Sequence, residues 1–134
     1  MGMEQTILFD ADCVPRWSAV FDLLERQGFA VQVRMIDNEL ALPDTLPPDS
    51  WRELRVGTPQ GMVTLRREPD RVRCITWGNA DTSLIEAWNA LAWAFALAGP
   101  GRVALPEGPK SAADFARSAA LPVALRGGSK SAKS

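Results

Sequence analysis

The chain has no histidine and no tyrosine. Without histidine, the commonest general base and the commonest transition-metal ligand are both missing. Cysteine is scarce: Cys13 and Cys74 are far apart, in a chain that opens without a basic-then-apolar leader. Both are expected to be reduced, buried small hydrophobes in a cytoplasmic protein, with a disulfide as the alternative. An excess of charge of either sign is also lacking. The formal net charge is −1 over 134 residues, which gives no global reason to meet nucleic acid or an anionic membrane. The longest apolar run, Ser83–Ala98, is interrupted by Glu86 and Asn89 and is short for a membrane span. No metal ligand set and no cofactor motif is expected.

What is present is an ordinary globular composition, 46% hydrophobic and 23% charged, enough for a core without staples. One domain is expected over residues 1–126, followed by a polar, low-complexity tail, 127–134, that is expected to be disordered. The chain is organised around Ser83–Ala98. Ser83 and Glu86 have the spacing of a capping box, and Gly99-Pro100 stops the helix. Leu84, Trp88, Leu91, Phe95 and Ala98 share one face, while Glu86, Asn89, Trp93 and Leu97 lie opposite. A helix this apolar all round is expected to be buried on more than one side.

Upstream, Thr6–Phe9 reads as a buried strand and Asp10–Val14 as a loop. Pro15 suits the first turn of a helix whose stripe is Trp17, Val20, Phe21 and Leu24, ended by Gly28. Phe29–Met35 alternates as a half-buried strand. Ile36–Ser50 is acidic and proline-rich and reads as a long loop. Ser50 and Glu53 could cap one helical turn holding Trp51, or Arg52–Val56 could be a strand. Met62–Trp77 is the best hairpin, with Pro69-Asp70 as its turn. Pairing Glu68 with Arg71 puts Val63, Leu65, Arg67, Val72, Cys74 and Thr76 on the face toward the helices. Met62, Thr64, Arg66, Arg73, Ile75 and Trp77 fall on the other. Gly101–Leu105 is a short strand, and Ser111–Leu121 a short helix anchored by Phe115.

This order gives an α+β class. The expected architecture is a mostly antiparallel sheet with the two main helices on one face, a ferredoxin-like core with an added hairpin.

Three resemblances bear on function. Ile7–Val14, ILFDADCV, is an apolar strand followed by Asp-x-Asp and resembles the first motif of the haloacid-dehalogenase-type phosphatases. That implies Asp10 as nucleophile and Asp12 as general acid beside Mg²⁺. The family also needs a later lysine and a downstream acidic pair. Here no adjacent acidic pair follows residue 50, and Lys110 is the sole lysine before the tail. The alternative is that both aspartates cap the first helix. The same stretch, held against the thioredoxin-like redox pattern, has Cys13 but Arg16 in place of the second cysteine; Pro59 could mimic that fold's proline, so a thioredoxin-like fold is the alternative architecture. Finally, Trp77-Gly78, the alanine-rich helix and Gly99–Gly108 together resemble small bacterial α+β proteins without an assigned activity, some of them immunity or accessory proteins of toxin systems. That resemblance implies binding rather than catalysis.

The sequence therefore points to a non-enzymatic protein–protein interaction module. Its candidate contacts are Trp77, Trp93, Leu97, Arg66 and Arg73, and its partner is another protein or a second copy of itself, not nucleic acid or membrane. The alternative is a Mg-dependent phosphoester-processing enzyme using Asp10 and Asp12.

Overall fold

The computed structural model describes residues 3–42, 44–77, 81–122 and 124–125. The expected tail, 127–134, and Gly78 lie outside the described residues. Within them the chain forms β1 (Met3–Leu8), α1 (Trp17–Arg26), β2 (Gln32–Ile36), β3 (Glu39–Leu40), β4 (Glu53–Thr58), β5 (Gly61–Glu68), β6 (Arg71–Thr76), α2 (Thr82–Ala98), β7 (Arg102–Ala104), β8 (Lys110–Ser111) and α3 (Ala112–Ser118). The strands make one eight-stranded sheet in the order β3-β2-β4-β5-β6-β1-β7-β8. Every pairing is antiparallel. The class is α+β. Adjacent parallel strands, which a thioredoxin-like sheet requires, do not occur among the described residues.

Period-two alternation sorts the sheet into two unlike faces. Ile7, Leu54, Val56, Val63, Leu65, Val72, Cys74 and Val103 are fully buried on the inner face. The β5–β6 hairpin has the expected register, Glu68 opposite Arg71 and Leu65 opposite Cys74. Pro69 and Asp70 fix its turn, and the turn fixes which side chains point inward.

Two helices cover the inner face. Helix α1 buries Trp17, Val20 and Leu24, while Phe21 is half-buried. It starts at Trp17, so Pro15 precedes the helix instead of opening it. The cap position is Arg16, with no side-chain cap; Asp10 and Asp12 do not cap α1. Its end is a Schellman cap: Gly28 takes φ +80°, Gly28 N–H donates to Glu25 O and Phe29 N–H to Leu24 O. Helix α2 starts one residue earlier than expected. Asp81, not Ser83, is the cap, accepting from Leu84 N at 2.9 Å; an aspartate favours the positive end of the helix dipole. As expected, α2 is buried on more than one side, through Ala87, Ala90–Ala92 and Ala94–Ala96.

Two expected elements are corrected. Of the two readings of this stretch the strand holds, as Glu53–Thr58, and Trp51 is not in a helical turn. It lies in extended chain just before β4 and is 1% exposed. Its ring packs on Phe95 at 6.3 Å, and Trp17 packs on the same Phe95 at 6.2 Å. The stretch 36–50 is not all loop. Asp37 and Asn38 take φ +49° and +72°, the two left-handed residues of a tight hairpin turn, and they fold β3 back on β2. Cys74 is buried as expected, and burial pushes its thiol pKa up. Cys13 is exposed, contrary to expectation, because it stands in the turn after β1; both thiols are free. No helix among the described residues is long and apolar enough to cross a membrane.

Candidate interaction surface

The outer face of the sheet is turned away from α1 and α2. Strand register builds it row by row. Glu53, Arg66, Arg73 and Thr6 stand side by side across β4, β5, β6 and β1. The next row is Arg55, Thr64, Ile75 and Glu4. Beyond it Gly57 stands opposite Met62. Gly57 lacks a Cβ where the Arg34 side chain crosses: an added Cβ would meet Arg34 Nε at 3.0 Å.

Arg66 and Arg73 face each other directly, a like-charge pair that destabilises a sheet unless carboxylates flank it. They do. Arg66 Nε donates to Glu53 Oε1 at 3.0 Å. Arg73 reaches Glu68 at 3.0 Å and Glu4 at 3.8 Å. Arg55 shares Glu53, at 3.7 Å. At the turn Arg71 donates to Asp70, and that hydrogen bond holds the Asp70 carboxyl below its usual range. All of these pairs are at least partly open to solvent, so none of them contributes much to stability.

Trp77 stands at the end of β6, 56% exposed. Its Nε1–H donates to Thr64 Oγ1 at 3.1 Å, and the Arg66 guanidinium lies 5.9 Å from its ring centroid. The indole is therefore held in one pose while most of its surface meets water. Met62 is exposed as well.

The structure thus brings three of the five expected contact residues, Trp77, Arg66 and Arg73, onto one surface. Trp93 and Leu97 are elsewhere. They sit on α2 in the helix layer, Trp93 half-buried against the core and Leu97 46% exposed. The neighbouring arginines of β5 are also divided between the faces. Arg67 points the other way from Arg66, donates to Trp51 O at 2.6 Å and lies 5.3 Å from the Trp51 ring.

Asp10 and Asp12 are both exposed in the turn after β1. That turn is pinned to the β5–β6 hairpin by Phe9 N–H to Asp70 O and Asp12 N–H to Pro69 O. Among the described residues no group of three acidic, cysteine or histidine side chains comes together as a metal site.

Two features were not foreseen. Asn89, placed by the sequence on the face of α2 opposite Leu84 and Trp88, is 7% exposed. Gln5 Nε2–H donates to its Oδ1 at 3.0 Å, and its Nδ2–H donates to Ala120 O at 2.9 Å. It fastens β1, α2 and the chain after α3 together, at the floor of a cleft of about 490 Å³. A lone amide in an otherwise greasy helix was the available signal. The second feature is a group of exposed leucines, Leu40, Leu42 and Leu46, beside the edge strand β3. In comparisons with family models, curated proteins and solved structures, nothing matches this chain.

Proposed function

We propose that this chain is a non-enzymatic protein–protein interaction module, of the immunity or accessory type that its sequence resembles, working through the outer sheet face around Trp77, Arg66 and Arg73. One observation carries the reading: Trp77 is 56% exposed yet fixed by Thr64 and flanked by Arg66, with Met62 also exposed. Tryptophan and arginine are the residue types that most often dominate binding energy, and an anchor already held in place costs less ordering entropy on association. Two free thiols suit a reducing compartment.

The same reading takes the sheet as an enlarged ferredoxin-like core. Strand β1 lies between β6 and β7, and the β4–β5 pair stands between β6 and β2 as the added hairpin.

Site-specific photocrosslinking in the source cell tests the function. A crosslinker replacing Met62 should give one defined adduct, and one replacing Glu25 on α1 should not. Equal yields from both positions, or none from 62, would overturn the proposal.

A further inference from the structure

Gln5 and Asn89 line the cleft of about 490 Å³ where β1, α2, α3 and the chain after β7 meet, and both are more than nine-tenths buried. Gln5 gives one N–H to Asn89, and Asn89 gives one to Ala120 O. A primary amide has two N–H groups and a carbonyl, so Gln5 keeps an N–H and its Oε1. Among the described residues, the unpartnered side-chain atoms sealed from solvent are Gln60 Oε1 and Thr76 Oγ1. The Oε1 of Gln5, to which no described residue donates, is therefore open to the cleft. Trp88, Leu105 and Phe115 add apolar walls. The Trp88 N–H is taken by Cys74 O at 2.8 Å, so Trp88 offers the cleft its ring.

The backbone of β1 is open at the same place. Phe9 N–H donates to Asp70 O, on the β6 side. Backbone groups alternate along a strand, so those of Gln5 and Ile7 also face β6, and those of Glu4, Thr6 and Leu8 face β7. Thr6 stands opposite Ala104 and Leu8 opposite Arg102. Continuing that register puts Glu4 opposite Pro106, which has no N–H to give. The chain turns away there, Leu105 O accepting from Gly108 N–H at 2.9 Å. On that side the Glu4 N–H and C=O have no backbone partner among the described residues. Glu4 lines the cleft together with Gln5.

We propose that this cleft binds a neutral ring with an N–H beside a C=O, a cyclic amide or imide of nucleobase size. One edge of such a ring answers the Glu4 N–H and C=O as an opposing strand residue would, and a second polar group meets the free amide of Gln5. The apolar walls cover the faces of the ring. The opening is one strand residue wide, too short for an added peptide strand, which draws its affinity from a run of main-chain bonds. An anion is poorly served. Lys110 is the cation of the lining, and Ser118 Oγ at 3.2 Å and Glu107 at 3.5 Å already engage it, while Glu4 and Glu107 bring carboxylates. This inference stands apart from the outer-face reading and does not rest on it.

Amide-resolved NMR of the isotope-labelled chain tests it, with uracil as the probe. Uracil at up to about 10 mM should move the Glu4 backbone signal and the Gln5 side-chain signals along a saturating curve. The expected Kd is about 0.1–3 mM, the range for so few atoms. Bound uracil should also slow exchange of the Glu4 N–H several-fold. Dimethyluracil, methylated on both ring nitrogens, keeps the ring and loses both donors, so it should bind at least about tenfold more weakly. Pro106→Val restores the missing N–H at an exposed position, so β7 should lengthen onto Glu4, protect its N–H without ligand and abolish the uracil response. Gln5→Met keeps the length, loses the amide and should weaken uracil about tenfold. Trp77→Ala should leave the response unchanged. No saturable shift at Glu4 and Gln5 overturns the proposal. So do equal shifts from uracil and dimethyluracil, or uracil binding undiminished in either Pro106→Val or Gln5→Met.

Discussion

Arg66 and Arg67 are consecutive residues of one strand, and each lies over a tryptophan ring. They share a chemistry and differ in everything around it. Arg67 and Trp51 face inward: the ring is 1% exposed and tilted against Phe95, and the Trp51 backbone carbonyl accepts from Arg67 Nε. Arg66 and Trp77 face outward: the ring is 56% exposed, with Thr64 Oγ1 accepting its indole N–H. The inner pair removes a large apolar surface from water. The outer pair leaves that surface open, so its contribution is available for association. Burial, not the arginine–tryptophan contact, decides which pair holds the fold.

Unfolding in urea measures this contrast. Trp51→Ala is expected to cost about 3–5 kcal/mol, the range for removing a large buried aromatic. Asn89→Ala tests the inner layer differently. It deletes no large volume but leaves Gln5 Nε2 and Ala120 O short of partners, for about 1–3 kcal/mol. Arg67→Ala loses a charged hydrogen bond to Trp51 O and cover for the ring; partial exposure limits this to about 1–2 kcal/mol. Trp77→Ala should cost under about 1 kcal/mol, since most of the ring is already in water. Arg66→Ala should fall within about 0.5 kcal/mol, as exposed ion pairs do. A Trp77→Ala loss equal to that of Trp51→Ala would erase the distinction between the faces.

The parts that were legible in the sequence are those fixed locally. Pro69-Asp70 sets one turn, and period two then assigns every side chain of β5 and β6 to a face. Gly28 and Gly99 mark helix ends, and the apolar girth of Ser83–Ala98 announces burial on several sides. The parts that were not legible depend on distant partners. β1 begins at Met3 because β6 pairs with it along its whole length, not because Met3-Glu4-Gln5 favours a strand. Trp51 looks exposed among prolines, yet Phe95, far along the chain, supplies its pocket. Asp37-Asn38 was a readable tight-turn signal hidden inside a stretch that looked like plain loop. For the candidate surface, alternation placed Trp77, Arg66 and Arg73 together. It could not separate them from Trp93 and Leu97, because the layer that α2 joins is a tertiary fact.

Strand β1 gains its second neighbour late in the chain. β1 needs β6 on one edge and β7, Arg102–Ala104, on the other. Phe9, at its end, lies so close to Gly99 and Gly101 that a methyl group on either would come within 3 Å of its ring. Strand β1 therefore cannot settle between both neighbours until Arg102–Ala104 has been made. Such long-range closure slows folding relative to helical bundles of the same size, and for that interval the N-terminal strand is open to whatever binds it first.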